Sequence, residues 1–345
     1  MFKPARCPYS ICSNHLSPTP NFYQRFGSYI ASCRSHPVPR FRCRACQRTF
    51  SRQTFRADYR DKKPYLNARL AILLVSGVGL RQSARQLPLT RSCLELKARK
   101  LARHARHLNL RLRGQLPGPT HLQFDEIESY EGRRRERPLT VPIVIERKSR
   151  FIIWGESAPI APKGRMSKKR ILANLAERER FGPRIGQSNE VVKAALKRAA
   201  ALVVNAKQLW IQTDEKTTYP KLIREAFPNA RVTHSQTSSK LERDIKNPLF
   251  PINQTEAVAR DLMGRLRRDS WLVSKKREFL DGAFQLFMAW KNYVRPRFNR
   301  DRWTPAQWLG FTKRALTMGE VLGWRQDWGA NSPKVGPGVH SARVA

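Results

Sequence analysis

The sequence predicts a multidomain chain: a small metal-bound ribbon, then an all-α segment, then an α/β core with a mixed sheet and closing C-terminal helices. Three observations carry that prediction. Two short cysteine pairs open the chain, apolar residues at helical spacing follow, and alternating strand-like and helix-like runs fill the remainder.

Cys7 and Cys12 form C-x4-C and Cys43 and Cys46 form C-x2-C, around strand-like aromatic stretches at 22–30 and near Phe41. Two such pairs separated by a loop can converge tetrahedrally on structural Zn²⁺, and the metal supplies folding energy that residues 1–56 lack. Cys33, His15 and His36 are alternatives for one ligand. Cys93 falls in a later helix and reads as a core thiol.

Over 60–112 the apolar period is helical. Leu66, Leu70, Leu73 and Leu74 share a stripe that ends at Ser76-Gly77-Val78-Gly79. A second helix over 80–87 stops at Pro88, and Thr90 sits at the N-cap of a third over 91–107. Leu94, Ala98, Leu101 and Ala105 are read as its inner face; Arg91, Lys97, Arg99, Lys100 and Arg103 are read as its outer, DNA-binding face. A short helix, a tight turn and a basic helix set the last in a major groove, so a helix-turn-helix is expected. The rival is a three-helix bundle with a solvated basic face. Gly and Pro near 111–119 mark a linker.

Residues 119–296 read as the core. Strand-like segments over 121–130, 139–146 and 151–156 suit an antiparallel meander. A basic insertion with a short helix near 167–179 follows, then a helix over 189–204 and a strand over 208–213 that ends in Asp214. A helix over 220–226 and a short strand over 230–233 complete the order βββαβαβ, that of an RNase H-like sheet with mixed strand directions. Asp125 lies in the first strand and Asp214 at the end of the fourth, expected to be its neighbour. Glu256 opens a helix that runs to about residue 268. Carboxylates gathered at one point repel unless cations compensate. Two Mg²⁺ (or Mn²⁺) ions held there would activate an attacking oxygen and stabilise a departing one. Glu126 and Glu242 are the alternatives to Asp125 and Glu256. Arg260 and Arg267, on Glu256's side of that helix, are candidates for DNA phosphates, and His234 and Asn253 for the scissile strand. A helix over 275–294 carries core aromatics. Trp303, Trp308 and Trp324 read as anchors of terminal helices in 297–325, with stacking on flipped bases the alternative. Residues 326–345 read as a disordered tail.

The charge fits a polyanionic partner. Lys and Arg number 67 against 26 Asp and Glu, a formal net charge of +41. Residues 1–115 hold 24 of the bases and 3 of the acids, so binding in front and chemistry behind is the natural division. Apolar runs such as 70–75 are far too short to span a bilayer, and the opening MFKPARCPYS has no apolar core of a secretory signal. A cytoplasmic, nucleoid-associated protein is expected.

Several phrases resemble bacterial insertion-sequence transposases of the DDE type that begin with a zinc ribbon. They are RFRCRACQRTFS, LQFDEIESY, LWIQTDE, SKKREFLDGAFQLFMAWKNYVRPR and RWTPAQWLGF, and they span roughly residues 5–325. The resemblance implies Asp125, Asp214 and Glu256 as the magnesium-binding catalytic triad and Cys7, Cys12, Cys43 and Cys46 as zinc ligands. It implies metal-dependent strand cleavage and strand transfer on double-stranded DNA, both element ends and target, by a homo-oligomer that is at least a dimer. Two other readings are a non-catalytic DNA-binding regulator derived from such an enzyme and a structure-selective nuclease.

Overall fold

The computed structural model describes residues 2–31, 35–111, 116, 120–162, 164, 166–203, 208–267 and 271–326. Cys33, most of the expected linker and the tail from 327 lie outside the described residues.

The chain is multidomain in its cores as well as its sequence. Strands β1 (Tyr23–Tyr29), β2 (Val38–Cys43) and β3 (Thr49–Ser51) form an antiparallel sheet in that order. Phe22, Phe41, Phe50 and Phe55 pack with Cys7, Cys12 and Cys43 in an apolar cluster of their own. A second, much larger cluster runs from Leu66 through Trp324, so the helices that follow and the large sheet share one core.

Helices α1 (Asn67–Val75), α2 (Leu80–Gln86) and α3 (Arg91–Arg111) come next. Gly77, at φ +81°, makes the turn between α1 and α2, a conformation that side chains with a Cβ resist. On α3, Leu94, Leu101 and Ala105 are buried, and so is Lys97, at 5% exposure. The expectation that Lys97 faces DNA is therefore corrected. Helical spacing puts residue 97 three past Leu94 and four before Leu101, on the inner stripe. Its Nζ donates to Asn67 Oδ1 at 2.9 Å and pairs with Asp61 at 3.1 Å. Burial works to raise the Asp61 carboxyl, but Lys100, Asn67 and Lys97 outweigh it and hold it below the usual range. Lys97→Ala should cost about 3 kcal/mol in urea unfolding, because it strips a buried carboxylate of one partner. A loss under about 0.5 kcal/mol, the size of a surface substitution, would remove the pair from the account.

The second sheet has six strands: β4 (Thr120–Tyr130), β5 (Pro138–Glu146), β6 (Ile152–Gly155), β7 (Ala158–Pro159), β8 (Gln208–Asp214) and β9 (Arg231–Thr237). Its order is β6-β5-β4-β8-β9, with β7 also on β5. The contacts of β5 with β4, β6 and β7 are antiparallel, and those of β8 with β4 and β9 are parallel. The mixture follows from the connections: short loops join β4 to β5 and β5 to β6, whereas helices intervene before β8 and before β9.

Those helices are α4 (Lys168–Phe181) and α5 (Ser188–Leu202) before β8, and α6 (Tyr219–Ala226) before β9. Then come α7 (Phe250–Leu262), α8 (Arg277–Tyr293), α9 (Pro305–Trp308) and α10 (Met318–Gly323). Every β5 side chain from Leu139 to Glu146 is buried, which needs cover on both faces. Helix α5 packs on β5 and β6, and α8 on β6. A Cβ on Gly155 would stand 2.2 Å from the Phe284 ring, so only glycine admits α8 this close to the sheet.

Helix α3 packs along α8. Asn109 Nδ2 donates to Gln285 Oε1 at 2.8 Å, and the Arg99 guanidinium lies 4.7 Å from the Phe279 ring centre. The end of the described chain stitches the front to the rest. The Gln326 N–H donates to the Phe55 carbonyl at 2.8 Å, and its side chain meets His104 Nδ1 at 2.7 Å. Trp324 is buried there, whereas Trp303 and Trp308 are about half exposed. No helix among the described residues is long and apolar enough to cross a membrane.

Candidate active site

Strand alternation decides which side chains of β4 can meet those of β8. Gln123 and Gln212 are paired across the parallel strands, and Asp125 and Asp214 each lie two residues further on, hence on the same face as those glutamines. Gln123 is wholly buried and ties three elements together. Its Nε2 donates to Gln212 Oε1 at 2.8 Å and to the Pro248 carbonyl at 2.7 Å, while its Oε1 accepts from the Ile252 N–H at 3.0 Å. Ile252 is in the first turn of α7, and Glu256 follows one turn later.

The Asp125 and Asp214 charges bear on Glu256, and that of Asp214 bears on Asp125. Glu256 is 6% exposed, and its Oε1 is buried with no hydrogen-bond partner among the described residues. Burial first, and then the Asp125 and Asp214 charges, push its carboxyl up to about 8 against the pull of Arg260 and Arg243. Asp125 is pushed up to about 6, by burial first and also by Asp214, despite the Glu126 N–H that its Oδ1 accepts at 2.7 Å. The compact metal-ligand geometry among the described residues is that of the four cysteines, whose ligand atoms lie within 4.8 Å of one another, and not that of these three acids.

Glu126 points the other way. Its carboxylate accepts from Thr140 Oγ1 at 2.6 Å, Tyr219 Oη at 2.7 Å and Ser188 Oγ at 3.0 Å, and pairs with Lys216. Burial works to raise it, but these partners hold it below the usual range. A carboxylate with every lone pair occupied is a structural anchor. Glu242 is exposed. Sequence reasoning missed Gln123, although a glutamine two residues before Asp125 in an apolar strand was the available signal. It also missed Arg243, which nothing in the sequence separates from the other bases.

The expected DNA-facing bases divide. Arg91 and Arg103 are exposed on α3. Arg99 pairs with Glu95 at 3.1 Å and Glu278 at 3.7 Å, and Lys100 pairs with Asp61 at 2.7 Å. Arg260 sits one turn past Glu256, with Nη1 at 3.5 Å from the Glu128 carbonyl and 3.4 Å from that of Leu266. Arg267 is not on Glu256's helix, because α7 ends at Leu262; it is exposed and lies 3.8 Å from Asp261. His234 Nε2 lies 2.9 Å from Thr213 Oγ1, and burial lowers its pKa.

In the ribbon, Cys7 Sγ is 3.7 Å from Cys46 Sγ, and Cys12 Sγ is 3.7 Å from Cys43 Sγ. Four sulfurs at about 2.3 Å from a tetrahedral Zn²⁺ stand about 3.8 Å apart. The four ligand atoms all lie within 4.8 Å, the one group among the described residues placed so that it could hold a metal ion. His15 Nδ1 lies 2.8 Å from the Cys7 carbonyl, and His36 is exposed. Burial raises the Cys7 thiol; at Cys43 the N–H groups of Cys46 and Ala45 overcome burial and lower it.

The acids make stability depend on pH. A carboxyl whose folded pKa exceeds its unfolded value binds its proton more tightly when folded. The contribution is fully present below the unfolded value, about 4, and is lost as pH rises through about 6 for Asp125 and about 8 for Glu256. Without divalent cation, Glu256→Gln should therefore stabilise the protein by a few kcal/mol more at pH 8 than at pH 5. Parallel unfolding curves for variant and wild type at both pH values would contradict the burial and repulsion described.

No protein-family model and no curated protein sequence matches the chain. Among solved structures, one chain of the cryo-EM structure of the simian T-cell lymphotropic virus intasome in complex with PP2A regulatory subunit B56 gamma is similar. The likeness covers 70% of this chain and 71% of that one, at 13% identity and a TM-score of 0.31. An overlap that loose carries no argument about activity, and the resemblance to bacterial insertion-sequence transposases stays a reading of motifs.

Proposed function

We propose that this chain is a DNA transposase, with an RNase H-like core in which Asp125, Asp214 and Glu256 hold two Mg²⁺ or Mn²⁺ ions. The observation that supports this most is the buried Oε1 of Glu256, without a hydrogen-bond partner among the described residues, in an acid whose pKa is raised by burial and by both other carboxylates. A fold does not keep such an oxygen without a reason, and a hard cation is one that satisfies it. Bound there, the metals would supply activation of an attacking oxygen and stabilisation of the departing one.

The residues' own roles follow from their positions. Asp125 and Asp214 offer hard oxygens from neighbouring strands, and Glu256 offers one from α7. Gln123 positions them by fixing β4, β8 and the start of α7 to one another. Arg243 and Arg260 act on the acids electrostatically and are suited to a phosphate beside them. The four-cysteine site holds structural Zn²⁺, and Arg91 and Arg103 lead the DNA-reading surface of a helix-turn-helix.

The test is Mg²⁺-dependent nicking of duplex DNA that carries the element's own ends, and joining of the freed 3′ hydroxyl to a second duplex. Activity in the wild type that Asp125→Asn abolishes supports the proposal. Specific binding without cleavage would favour the regulator, and cleavage indifferent to sequence would favour the nuclease.

A further inference from the structure

Helix α4 is built inside out. Arg170, Ala173, Asn174 and Glu177, a stripe at helical spacing, are the residues half-covered by the rest of the chain. Glu177 is held there by Arg133 at 3.3 Å and Arg137 at 3.8 Å. The opposite stripe carries the leucines. Leu172 is 67% exposed and Leu175 is 52% exposed, and none of the helix's residues is buried. A surface helix ordinarily turns its apolar stripe inward, so an outward one marks a contact with another molecule.

The ends of that stripe say which molecule. Lys168, Leu172, Leu175 and Glu179 follow one another at spacings of four, three and four, the seam of a two-helix pairing. Reversed end for end, the seam complements itself: Lys168 meets Glu179, and Leu172 meets Leu175. A two-fold axis makes each of these contacts twice. Both charged ends are exposed, and neither has an ion-pair partner among the described residues. A cavity of about 710 Å³ of mixed lining, with Ile171 and Phe181 beside Arg137 and Arg184, touches the seam at Leu175 and leaves that leucine open to the incoming helix.

We propose that α4 is the self-association helix of this protein: a second copy of the chain docks on it antiparallel, with Leu172 against Leu175 and Lys168 against Glu179 across the two-fold axis. The inference is independent of the catalytic reading, although a transposase has a use for it, since two element ends must be held together. One 14-residue helix buries little area by the standard of stable dimers, so the association is weak, with Kd on the order of 10–100 µM.

Sedimentation velocity of the full chain across that concentration range tests the proposal. Wild type is expected to shift from monomer to dimer, and Leu172→Asp to remain monomeric. Lys168→Glu and Glu179→Lys should each weaken dimerisation about tenfold, because each turns two attractive pairs into repulsive ones. The combined K168E/E179K chain restores complementarity with the signs exchanged and should recover wild-type association. No buried residue is altered, so thermal unfolding of all variants should match wild type. A wild type that stays monomeric throughout, or a double variant as weak as its parents, overturns the proposal. So does a Lys168→Glu effect confined to DNA binding. Loss of nicking in Asp125→Asn with dimerisation intact would leave it standing.

Discussion

Asp214→Asn is expected to leave the protein folded and bound to duplex DNA while lowering Mg²⁺-dependent strand cleavage by about a thousandfold or more. Substituting asparagine keeps the side chain's size and its acceptor oxygen, which takes the Lys216 N–H at 3.2 Å, but removes the charge. A bound metal contributes several kcal/mol of transition-state stabilisation, and each 1.4 kcal/mol is about a factor of ten in rate. Losing one of three carboxylates from such a site therefore costs orders of magnitude in rate. Asp125→Asn should be equally severe and the pair no worse than either alone, because ligands that act as a unit are not additive. Relief of repulsion works in the opposite direction on stability, since Asp214 raises both Asp125 and Glu256. Cleavage and joining that persist at wild-type rates in Asp214→Asn would end the assignment of these acids as the metal site. A wild type without cleavage under the same conditions would end the enzymatic reading altogether.

The sequence was legible where burial writes a pattern. Strand β5 reads as a strand because burial on both faces makes its apolar run continuous, and α8 reads as a helix because Phe279, Ala283, Leu286, Phe287 and Trp290 recur at its period, with Leu286 and Phe287 the two of them fully buried. Cysteine spacing announced the cluster of four sulfurs. The place of Asp214 was legible because the Leu-Trp-Ile run ahead of it reads as a strand that this acid closes. What the sequence hid were matters of partnership. Lys97 lies on the inner stripe of α3, but what admits a cation there is Asp61, a residue 36 positions earlier that no local pattern connects to it. Arg267 seemed to share a helix with Glu256 because nothing between them breaks the helical period until Gly264; the helix in fact stops at Leu262. The separate faces of Asp125 and Glu126 were fixed by strand alternation, yet which face α7 would cover depended on Gln123 reaching Pro248 and Ile252.

Removing metal from the ribbon is expected to unfold residues up to about Phe55 while the large core survives. The ribbon's own cluster is four phenylalanines and the cysteines, a core too small to fold unaided, whereas structural Zn²⁺ binding contributes about 10–16 kcal/mol. Cys43→Ser, or chelation of the wild type, should therefore abolish hydrogen-exchange protection in β1 to β3 and leave that of β5 and α8 in place. One mole of zinc per chain should be lost with it. The loss should also be felt at His104, remote from the metal. Burial holds His104 down to about 4, and part of its cover is Gln326, whose backbone is tied to the ribbon through the Phe55 carbonyl and through Arg6 Nη2 at 3.2 Å. When the ribbon unfolds, that cover is released, and His104 should titrate closer to its ordinary value of about 6.5. Its ring resonances followed by NMR with and without chelator report the change. A ribbon that stays protected without metal would show that its aromatic cluster suffices, and an unmoved His104 would show that the end of the chain is held by α3 and α10 alone.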